Sequence, residues 1–228
     1  MNSQKKVLHC YNKVADDYAT ERWNELYKKR LDQLLLNEFA SVNKNKGPCA
    51  DFGCGPGQTT KFLYDTGLKN ITGLDLSPAM IAVARRLSPH IKFETGDLLN
   101  IAYPTKYFDS ALAFYAIVHF NNDEIRKCFS EVNRVLKVGG NFLFSFHVGD
   151  QIVHFDKAHD KDVHIDLLFF ETDMIISLLS ETGFNPTDAI ERRPYEGIEY
   201  PSTRAYIWAV KNKDIELSDQ SFRKKGIS

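Results

Sequence analysis

The sequence lacks any hydrophobic run long enough to cross a bilayer, since its longest apolar stretch covers only residues 111–118. The first six residues, MNSQKK, lead into no apolar segment, so we expect no secretory signal. Cysteine is also scarce, and the four cysteines show no spacing typical of metal ligands. These absences predict a cytoplasmic protein with reduced thiols and no membrane span.

A surplus of positive charge is missing as well. Lysine and arginine together number 29 against 30 aspartate and glutamate residues, which leaves a net charge of −1. Nonspecific binding to nucleic acid needs a basic field, so we expect no nucleic-acid partner. With 228 residues, the chain is long enough for one domain with an added segment and a sizeable buried core.

The most informative motif present is a glycine-rich turn at residues 49–58, CADFGCGPGQ. An apolar strand precedes the turn, a helical pattern follows it, and Gly53, Gly55 and Gly57 alternate within it. Glycine lets the backbone approach a ligand where a Cβ atom would collide, and it adopts φ values that other residues avoid. The pattern therefore predicts a binding loop for a nucleotide-containing cofactor.

Two acidic residues distinguish among such cofactors. Asp51 stands two residues before the first glycine, and Asp75 closes the next apolar strand, where a carboxylate can accept hydrogen bonds from ribose hydroxyls. A dinucleotide fingerprint would read G-x-G-x-x-G, and its pyrophosphate would be repelled by a neighbouring carboxylate. A cationic ligand would instead be attracted by the carboxylates of Asp51 and Asp75. The alternative is a glycine turn that caps a strand and carries a solvated aspartate.

This segment resembles the first motif of the class I S-adenosylmethionine-dependent methyltransferases, D/E-x-G-x-G-x-G, at all four fixed positions. The resemblance covers residues 49–211. Within the family, the chain is similar to small-molecule members such as the quinone-biosynthesis methyltransferases. It implies a three-layer α/β Rossmann-like fold with five parallel strands and a closing pair that contains one antiparallel strand. The implied cofactor is S-adenosylmethionine, whose product is S-adenosylhomocysteine.

The hydrophobic pattern divides the chain into three parts. Residues 5–42 carry an apolar stripe at i, i+3, i+4 and i+7, which predicts a helical cap over 1–42. Strands and amphipathic helices then alternate through the domain at 43–211, which is typical of parallel βαβ units. The remainder, 212–228, is polar and is predicted to form a frayed tail.

The sequence predicts a helix and a polar loop in two later segments of the chain. An amphipathic helix is predicted over 123–137, with Gly139 and Gly140 as its stop signal. The segment 149–166 is polar, lacks clear periodicity and is predicted to be a loop. It contains five imidazole and carboxylate groups that suggest a metal site: His154, Asp156, His159, His164 and Asp166. Their spacing matches no defined motif, so we expect no metal and interpret them as lid, acceptor-pocket or solvent-facing residues.

The resemblance also implies which residues bind the cofactor, because the loops after successive parallel strands form one site. The glycine turn would hold the methionine part, Asp75 the ribose hydroxyls and Asp97 the adenine amino group. The N-terminal helix would add a tyrosine hydroxyl for the cofactor carboxylate. The complete set is Tyr11, Asp51, Gly53, Cys54, Gly55, Gly57, Asp75, Leu76, Met80, Asp97, Leu98 and Phe114.

Two histidines are the candidate general bases, His119 after the fourth strand and His147 after the fifth. Imidazole titrates near neutral pH, so either could take a proton from an alcohol or phenol acceptor. The alternatives are a His119 that caps the next helix or packs beneath the cofactor, and a His147 bonded to a backbone carbonyl.

The candidate substrate-binding residues are Tyr18, Tyr115 and Arg204. Arg204 begins the last predicted strand and could bind an acidic acceptor through two hydrogen bonds, with a surface ion pair as the alternative. For Tyr18, as for Tyr11, the alternative is ordinary packing against the domain.

The resemblance implies in-line methyl transfer to a small-molecule acceptor whose nucleophile the sequence leaves undetermined. After the fourth strand the chain lacks the N/D-P-P-Y/F motif of amino-methylating enzymes and the Pro-Cys motif of cytosine-C5 enzymes, which argues against base methylation. Two alternatives stay open, a non-catalytic cofactor-binding module and a nicotinamide-dependent oxidoreductase. The oligomeric state is open as well.

Overall fold

The computed structural model describes residues 3–215, so the predicted tail at 212–228 lies outside the described residues from 216 onward. The described strands are β1 Cys49–Phe52, β2 Ile71–Asp75, β3 Lys92–Thr95, β4 Phe108–Phe114, β5 Leu136–His147, β6 Ile152–Ala158, β7 Lys161–Leu168, β8 Phe184–Arg192 and β9 Arg204–Lys211. Seven of them form one sheet in the order β3-β2-β1-β4-β5-β9-β8, while β6 and β7 form a separate pair.

The strand pairing matches the fold class that the sequence predicts. β1 pairs with β2 and β4, β2 with β3, and β4 with β5, all in parallel. β9 runs antiparallel between β5 and β8, so the closing pair contains one antiparallel strand. The strand order reverses between β1 and β4, and doubly wound sheets bind their ligands at this kind of switch point.

Helices cover both faces of the sheet and produce the three layers. They are α1 Ser3–Arg22, α2 Arg30–Asn43, α3 Gln58–Asp65, α4 Pro78–Leu87, α5 Asn122–Val135 and α6 Thr172–Glu181. The α5 and α6 side packs around Phe129 and Phe142, and the α2, α3 and α4 side packs around Phe39 and Leu63. Among residues 3–215, no helix has the length and apolarity that a bilayer crossing requires.

The N-terminal region differs from the single helical stripe predicted over residues 5–42. α1 ends at Arg22, a 3-10 turn occupies Glu25–Lys28, and α2 starts at Arg30. The turn brings Leu26 into the same buried cluster as Leu36, so the apolar spacing continues through the break. Periodicity alone could not reveal the interruption for that reason.

The glycine pair at 139–140 has a different role from the predicted helix stop. α5 ends at Val135, and both glycines lie inside β5. A Cβ atom on Gly140 would stand 2.8 Å from the Lys137 carbonyl oxygen and 3.0 Å from that of Asp109, so only glycine permits this close backbone approach. The register between β4 and β5 shifts in the same region, which marks an irregularity of the pairing.

The segment 149–166, predicted to be a loop, folds instead as the hairpin of β6 and β7. Its two-residue turn consists of His159 and Asp160, both with positive φ, at +50° and +58°. Two positive φ values in succession are typical of the turn that joins twisted antiparallel strands. The inner side of the hairpin packs Val163 and Ile165 onto α1, while its outer side is polar, which concealed the alternation in the sequence.

Candidate functional site

A cavity of about 430 Å³ opens at the carboxyl ends of the parallel strands, beneath α1 and the β6–β7 hairpin. This volume falls within the range of about 300–1,000 Å³ that is usual for small-molecule sites. Residues from the loops after β1, β2, β3 and β4 share its wall with His147 at the end of β5, as the sheet topology requires. The predicted site residues in its lining are Tyr11, Tyr18, Asp51, Gly53, Cys54, Gly55, Asp75, Leu76, Met80, Asp97, Leu98, Phe114, Tyr115, His119, His147 and Arg204.

The three glycines of the turn have separate roles, and all three have positive φ. A Cβ atom on Gly53 would stand 2.5 Å from the Ala116 Cβ, and one on Gly57 would stand 2.7 Å from the Phe93 ring. Gly57 therefore serves packing at the start of α3 and lies outside the cavity lining. At Gly55 an added Cβ would meet no described atom within 4 Å, so the bare backbone faces the open cavity.

Asp75 ends β2 with both carboxylate oxygens held by backbone amides. Its Oδ2 accepts a hydrogen bond from the Gly55 N–H at 2.9 Å, and its Oδ1 accepts one from the Ser77 N–H at 2.8 Å. Burial raises the pKa of this carboxyl, and the two amide hydrogen bonds oppose that rise. Each oxygen keeps a second lone pair, so the carboxylate can still accept hydrogen bonds from a ligand in the cavity.

Asp51 lies at the end of β1 with only 1% of its surface exposed. The Thr60 hydroxyl donates to its Oδ2 at 2.6 Å. Burial raises the pKa of Asp51 to about 7, with the nearby Asp75 adding to the effect. The negative charge that the sequence predicts beside the glycine turn is thus only partly present near neutral pH, and a cation bound next to Asp51 would restore it.

Asp97 follows β3 and is tied to the N-terminal helix. The Gln4 side-chain amide donates to both carboxylate oxygens at 2.9 Å, and the Leu99 N–H donates to Oδ1 at 2.8 Å. An amide NH₂ and an exocyclic adenine amino group are similar donors. Gln4 thus makes with Asp97 the same kind of contact that the sequence resemblance assigns to adenine.

His119 and Tyr11 form a hydrogen-bonded pair at the cavity wall. The Asp166 backbone carbonyl lies 2.6 Å from His119 Nδ1, and because a carbonyl can only accept, Nδ1 carries the proton. The neutral ring then has its lone pair on Nε2, which accepts from the Tyr11 hydroxyl at 2.8 Å. Burial lowers the pKa of His119, so the ring is neutral at physiological pH.

His147 ends β5 in a different environment. Its Nδ1 lies 2.7 Å from the Ser202 hydroxyl, and its ring packs against Tyr115 and Phe169. Burial, reinforced by the cations of Arg204 and nearby Lys29, lowers the pKa of His147 to about 3. A histidine that resists protonation so strongly is a poor proton acceptor. The alternative given for His147, a bond to a backbone carbonyl, differs from the structure, in which the partner of Nδ1 is the Ser202 side-chain hydroxyl.

Arg204 is buried, so the alternative of a surface ion pair is wrong. Its Nη1 donates to the Ser202 carbonyl at 2.6 Å and its Nη2 to the Tyr200 carbonyl at 2.7 Å. Its Nε lies 3.1 Å from a Glu199 carboxylate oxygen. The guanidinium is therefore fixed in the cavity wall, where it also lies 6.0 Å from the centre of the Tyr115 ring.

The two remaining predicted tyrosines, Tyr18 and Tyr115, both line the cavity. Tyr18 packs edge-on against Tyr11 with ring centres 6.2 Å apart, which is the packing role given as the alternative. Tyr115 follows β4 with a φ of +55°, an uncommon value for a residue with a side chain. Such backbone conformations cluster at functional sites, where the surrounding structure holds them in place. The Tyr115 hydroxyl lies 3.3 Å from that of Tyr206.

Sequence reasoning missed a buried polar network behind Tyr115. The Tyr206 hydroxyl donates to Asp32 Oδ2 at 2.9 Å, and Arg192 Nη2 donates to the same oxygen at 2.9 Å. Glu199 pairs with Arg192 and with Lys29; burial disfavours its charge, but these cations and Arg204 lower its pKa to about 2. Asp32 and Tyr206 are 174 positions apart, so no local signal could have brought them together.

Known proteins share both sequence and fold with this chain. A family described as a methyltransferase domain matches residues 50–140. The chain is 25% identical over 215 residues to an uncharacterised methyltransferase of Oceanobacillus iheyensis, a match that covers 92% of this chain and 96% of that protein. It is 27% identical over 244 aligned residues to the ubiquinone/menaquinone biosynthesis C-methyltransferase of Campylobacter jejuni, covering 100% of this chain and 97% of the relative.

The fold is also found among solved structures. A S-adenosylmethionine-dependent methyltransferase from Clostridium acetobutylicum superimposes with a TM-score of 0.64 at 19% identity, covering 90% of this chain and 100% of that one. At this level of identity the likeness concerns the fold alone. It agrees with the doubly wound, mostly parallel sheet of this chain.

Proposed function

Because this chain belongs to the class I S-adenosylmethionine-dependent methyltransferases, we propose that it transfers a methyl group from S-adenosylmethionine to a small-molecule acceptor in the described cavity. The observation that carries this proposal is the open space at the Cα atom of Gly55, beside the Asp75 carboxylate. A ligand can approach the chain there as closely as the backbone allows, next to an acceptor for ribose hydroxyls.

The residues present fit this cofactor. Asp51 and Asp75 place two carboxyl groups along one wall, which favours a ligand with a cationic sulfur over one with a pyrophosphate. Leu76, Met80 and Leu98 offer the apolar surface that an adenine ring needs. The Asp97 carboxylate would accept from the adenine amino group in place of the Gln4 amide that it contacts in this structure. The same arrangement disfavours a nicotinamide dinucleotide, whose phosphates would meet Asp51.

When bound, S-adenosylmethionine supplies a methyl group on a sulfonium that is already a good leaving group. The chain contributes mainly position, and correct positioning can supply about 7–11 kcal/mol of the barrier reduction. α1 and the hairpin cover the cavity and limit the access of water. The aromatic rings of Tyr115, His147 and Tyr200, with Arg204 beside them, favour an acceptor with a planar apolar part and an acidic or polar group.

We assign proton uptake to the Tyr11–His119 pair. The Tyr11 oxygen can accept a hydrogen bond from the nucleophile of the acceptor while its own proton points at His119 Nε2. As the nucleophile gains the methyl group, its proton passes to Tyr11 and the tyrosine proton passes to Nε2. The imidazolium that forms is held by the Asp166 carbonyl through Nδ1–H. His147, with its pKa lowered to about 3, is assigned a positioning role.

The test uses isotopically labelled S-adenosylmethionine and a fractionated cell extract. We expect label to enter a small molecule, and we expect His119→Gln to lower turnover by about 10²–10⁴-fold for an alcohol or phenol acceptor. Cofactor affinity should stay nearly unchanged in this variant. His90→Gln is the matched control, because His90 is exposed and lies outside the cavity lining. Mass spectrometry identifies the labelled product.

Three results would contradict the proposal in distinguishable ways. Full turnover by His119→Gln would remove this residue from proton transfer. Label found in protein alone would exclude a small-molecule acceptor. Cofactor binding without transfer to any acceptor fraction would favour a non-catalytic binding module.

A further inference from the structure

The outer face of the β6–β7 hairpin carries a compact cluster of two imidazoles and two carboxylates. His154 and Asp156 alternate on β6, and His164 and Asp166 alternate on β7, so all four side chains lie on the same side. His154 is the direct cross-strand partner of Asp166. The cluster is exposed and faces away from the cavity, so the methyl-transfer site makes no use of its side chains.

The spacing of the cluster is that of a metal site. His154 Nε2 lies 3.2 Å from Asp156 Oδ1, and His164 Nδ1 lies 3.0 Å from the same oxygen. One ligand atom from each of these three residues lies within 4.8 Å of the others. Zinc binds nitrogen and oxygen ligands at about 2.0–2.2 Å, so the ligand atoms of a tetrahedral site lie roughly 3.3 Å apart. Small side-chain adjustments would bring the three atoms onto one ion.

Asp166 supplies the supporting contact that metal-bound histidines usually have. Its Oδ1 lies 2.6 Å from His154 Nδ1 and accepts the proton on that nitrogen, so loss of the Nε2 proton would free the Nε2 lone pair for an ion beside Asp156. Without a cation, protons on the two imidazoles bridge them to the carboxylates in exposed ion pairs that solvent screens. A divalent ion would replace those protons and balance both carboxylate charges.

We propose that this face of the hairpin binds a divalent transition-metal ion through His154 Nε2, Asp156 Oδ1 and His164 Nδ1, with Asp166 orienting His154. Two imidazoles and a carboxylate are a donor set that suits zinc, and three protein ligands leave a fourth position for water. This proposal departs from the expectation, drawn from the sequence, that these residues hold no metal. The sequence spacing matched no motif because the site is assembled across two strands.

A bound ion would act on the cavity through the hairpin. It would join β6 to β7, whose inner residues Phe155 and Leu167 line the cavity. The backbone of Asp166 connects the two sites directly, because its carbonyl accepts from His119 Nδ1 at 2.6 Å. Metal binding would therefore stiffen the element that orients His119. This consequence rests on the proposed function, whereas the metal site itself does not.

The test titrates Zn²⁺ and Co²⁺ into the full chain after treatment with a chelator. Calorimetry should show one Zn²⁺ per chain, and bound Co²⁺ should give the visible absorption of a nitrogen- and oxygen-ligated tetrahedral ion. His154→Ala and His164→Ala should abolish this stoichiometric binding. Asp166→Asn should weaken it by about 10–100-fold, the usual effect of losing a group that orients a ligand. Circular dichroism would confirm that the variants fold, since the replaced side chains are exposed.

His159→Ala is the matched control, because this histidine lies at the turn of the same hairpin and pairs with Glu21 at 3.0 Å instead. It should bind Zn²⁺ as the unaltered chain does. The proposal is overturned if the chain binds no Zn²⁺ at micromolar concentration, or if the His154 and His164 variants bind it as well as the control. A sulfur-to-cobalt charge-transfer band would also overturn it, since it would place the ion on cysteine. None of these readouts requires methyl transfer.

Discussion

At the scale of single residues, Asp51 shows how burial sets the chemistry of the glycine turn. A buried carboxyl disfavours its charged form, and the hydrogen bond from Thr60 compensates only in part. The result is a pKa of about 7, which divides Asp51 between its two protonation states at physiological pH. A cationic cofactor binds only one of those states well.

The pH dependence of cofactor binding follows from this titration. A cation stabilises ionised Asp51, so below about pH 7 binding must release a proton and the affinity falls, by up to about tenfold per pH unit. Above pH 7 the carboxylate is already charged and its contribution levels off. We expect Asp51→Asn to flatten the profile of affinity against pH, measured with S-adenosylmethionine from about pH 5.5 to 8.5.

The comparison between variants isolates Asp51, because ionisation of the ligand is the same for every protein. Asp65→Asn is the control, since Asp65 is an exposed residue of α3 paired with Lys61. It should retain the profile of the unaltered chain. An unchanged profile in Asp51→Asn would show that Asp51 does not face the cationic part of the ligand.

The positions of the two candidate histidines could be predicted from the sequence, whereas their hydrogen-bond partners could not. His119 follows β4 and His147 ends β5, so their place at the carboxyl ends of parallel strands could be derived from topology. Their partners could not be derived, because Asp166 and Tyr11 reach His119 from the hairpin and from α1. His147 and Arg204 likewise share Ser202, which lies in a connection without regular structure.

At the scale of elements, the turn after β1 requires glycine at two positions for different reasons. Gly57 is needed because a side chain would collide with Phe93, whereas Gly55 is needed because the cavity must stay open. Both also have positive φ, which costs about 1–2 kcal/mol for a residue with a Cβ atom. A substitution at Gly55 should therefore affect both stability and ligand binding.

Gly55→Ala separates those two effects when it is compared with Gly139→Ala. Gly139 also has positive φ and no described atom within 4 Å of an added Cβ, yet it lies in β5 away from the cavity. Both variants should lose about 1–2 kcal/mol of unfolding free energy through backbone strain. Only Gly55→Ala should also lose affinity for S-adenosylmethionine, measured by calorimetry. Equal affinities in the two variants would contradict a ligand contact at Gly55.

Two structural features could not be predicted from the sequence pattern, the β6–β7 hairpin and the break between α1 and α2. The parallel strands β1, β2 and β4 are apolar and mostly buried, so the alternation of strands and helices could be recognised from the sequence. The β6–β7 hairpin has a polar outer face and a modest apolar inner face, so its alternation is weak in the sequence. The break between α1 and α2 is hidden because Leu26 keeps the helical spacing across it.

At the scale of the whole molecule, the sheet gathers residues that are distant in sequence into one cavity. Asp51 and Asp75 lie at the ends of β1 and β2, and Asp97 follows β3. His119 follows β4, and His147 ends β5. This convergence follows from the strand order, so the fold and the cofactor region could be predicted from local motifs. The network around Asp32 joins α2 to β8 and β9, which are distant in sequence, so local motifs could not predict it.

The most direct test of the account measures S-adenosylmethionine binding by calorimetry. The unaltered chain should bind one cofactor, and Asp75→Ala should weaken binding by about 1.5–3 kcal/mol, the usual contribution of hydrogen bonds to a charged group. Asp65→Asn should bind as the unaltered chain does, and a nicotinamide dinucleotide should bind to none of them. Equal affinity in Asp75→Ala, or tighter binding of the dinucleotide, would contradict the cofactor site described above.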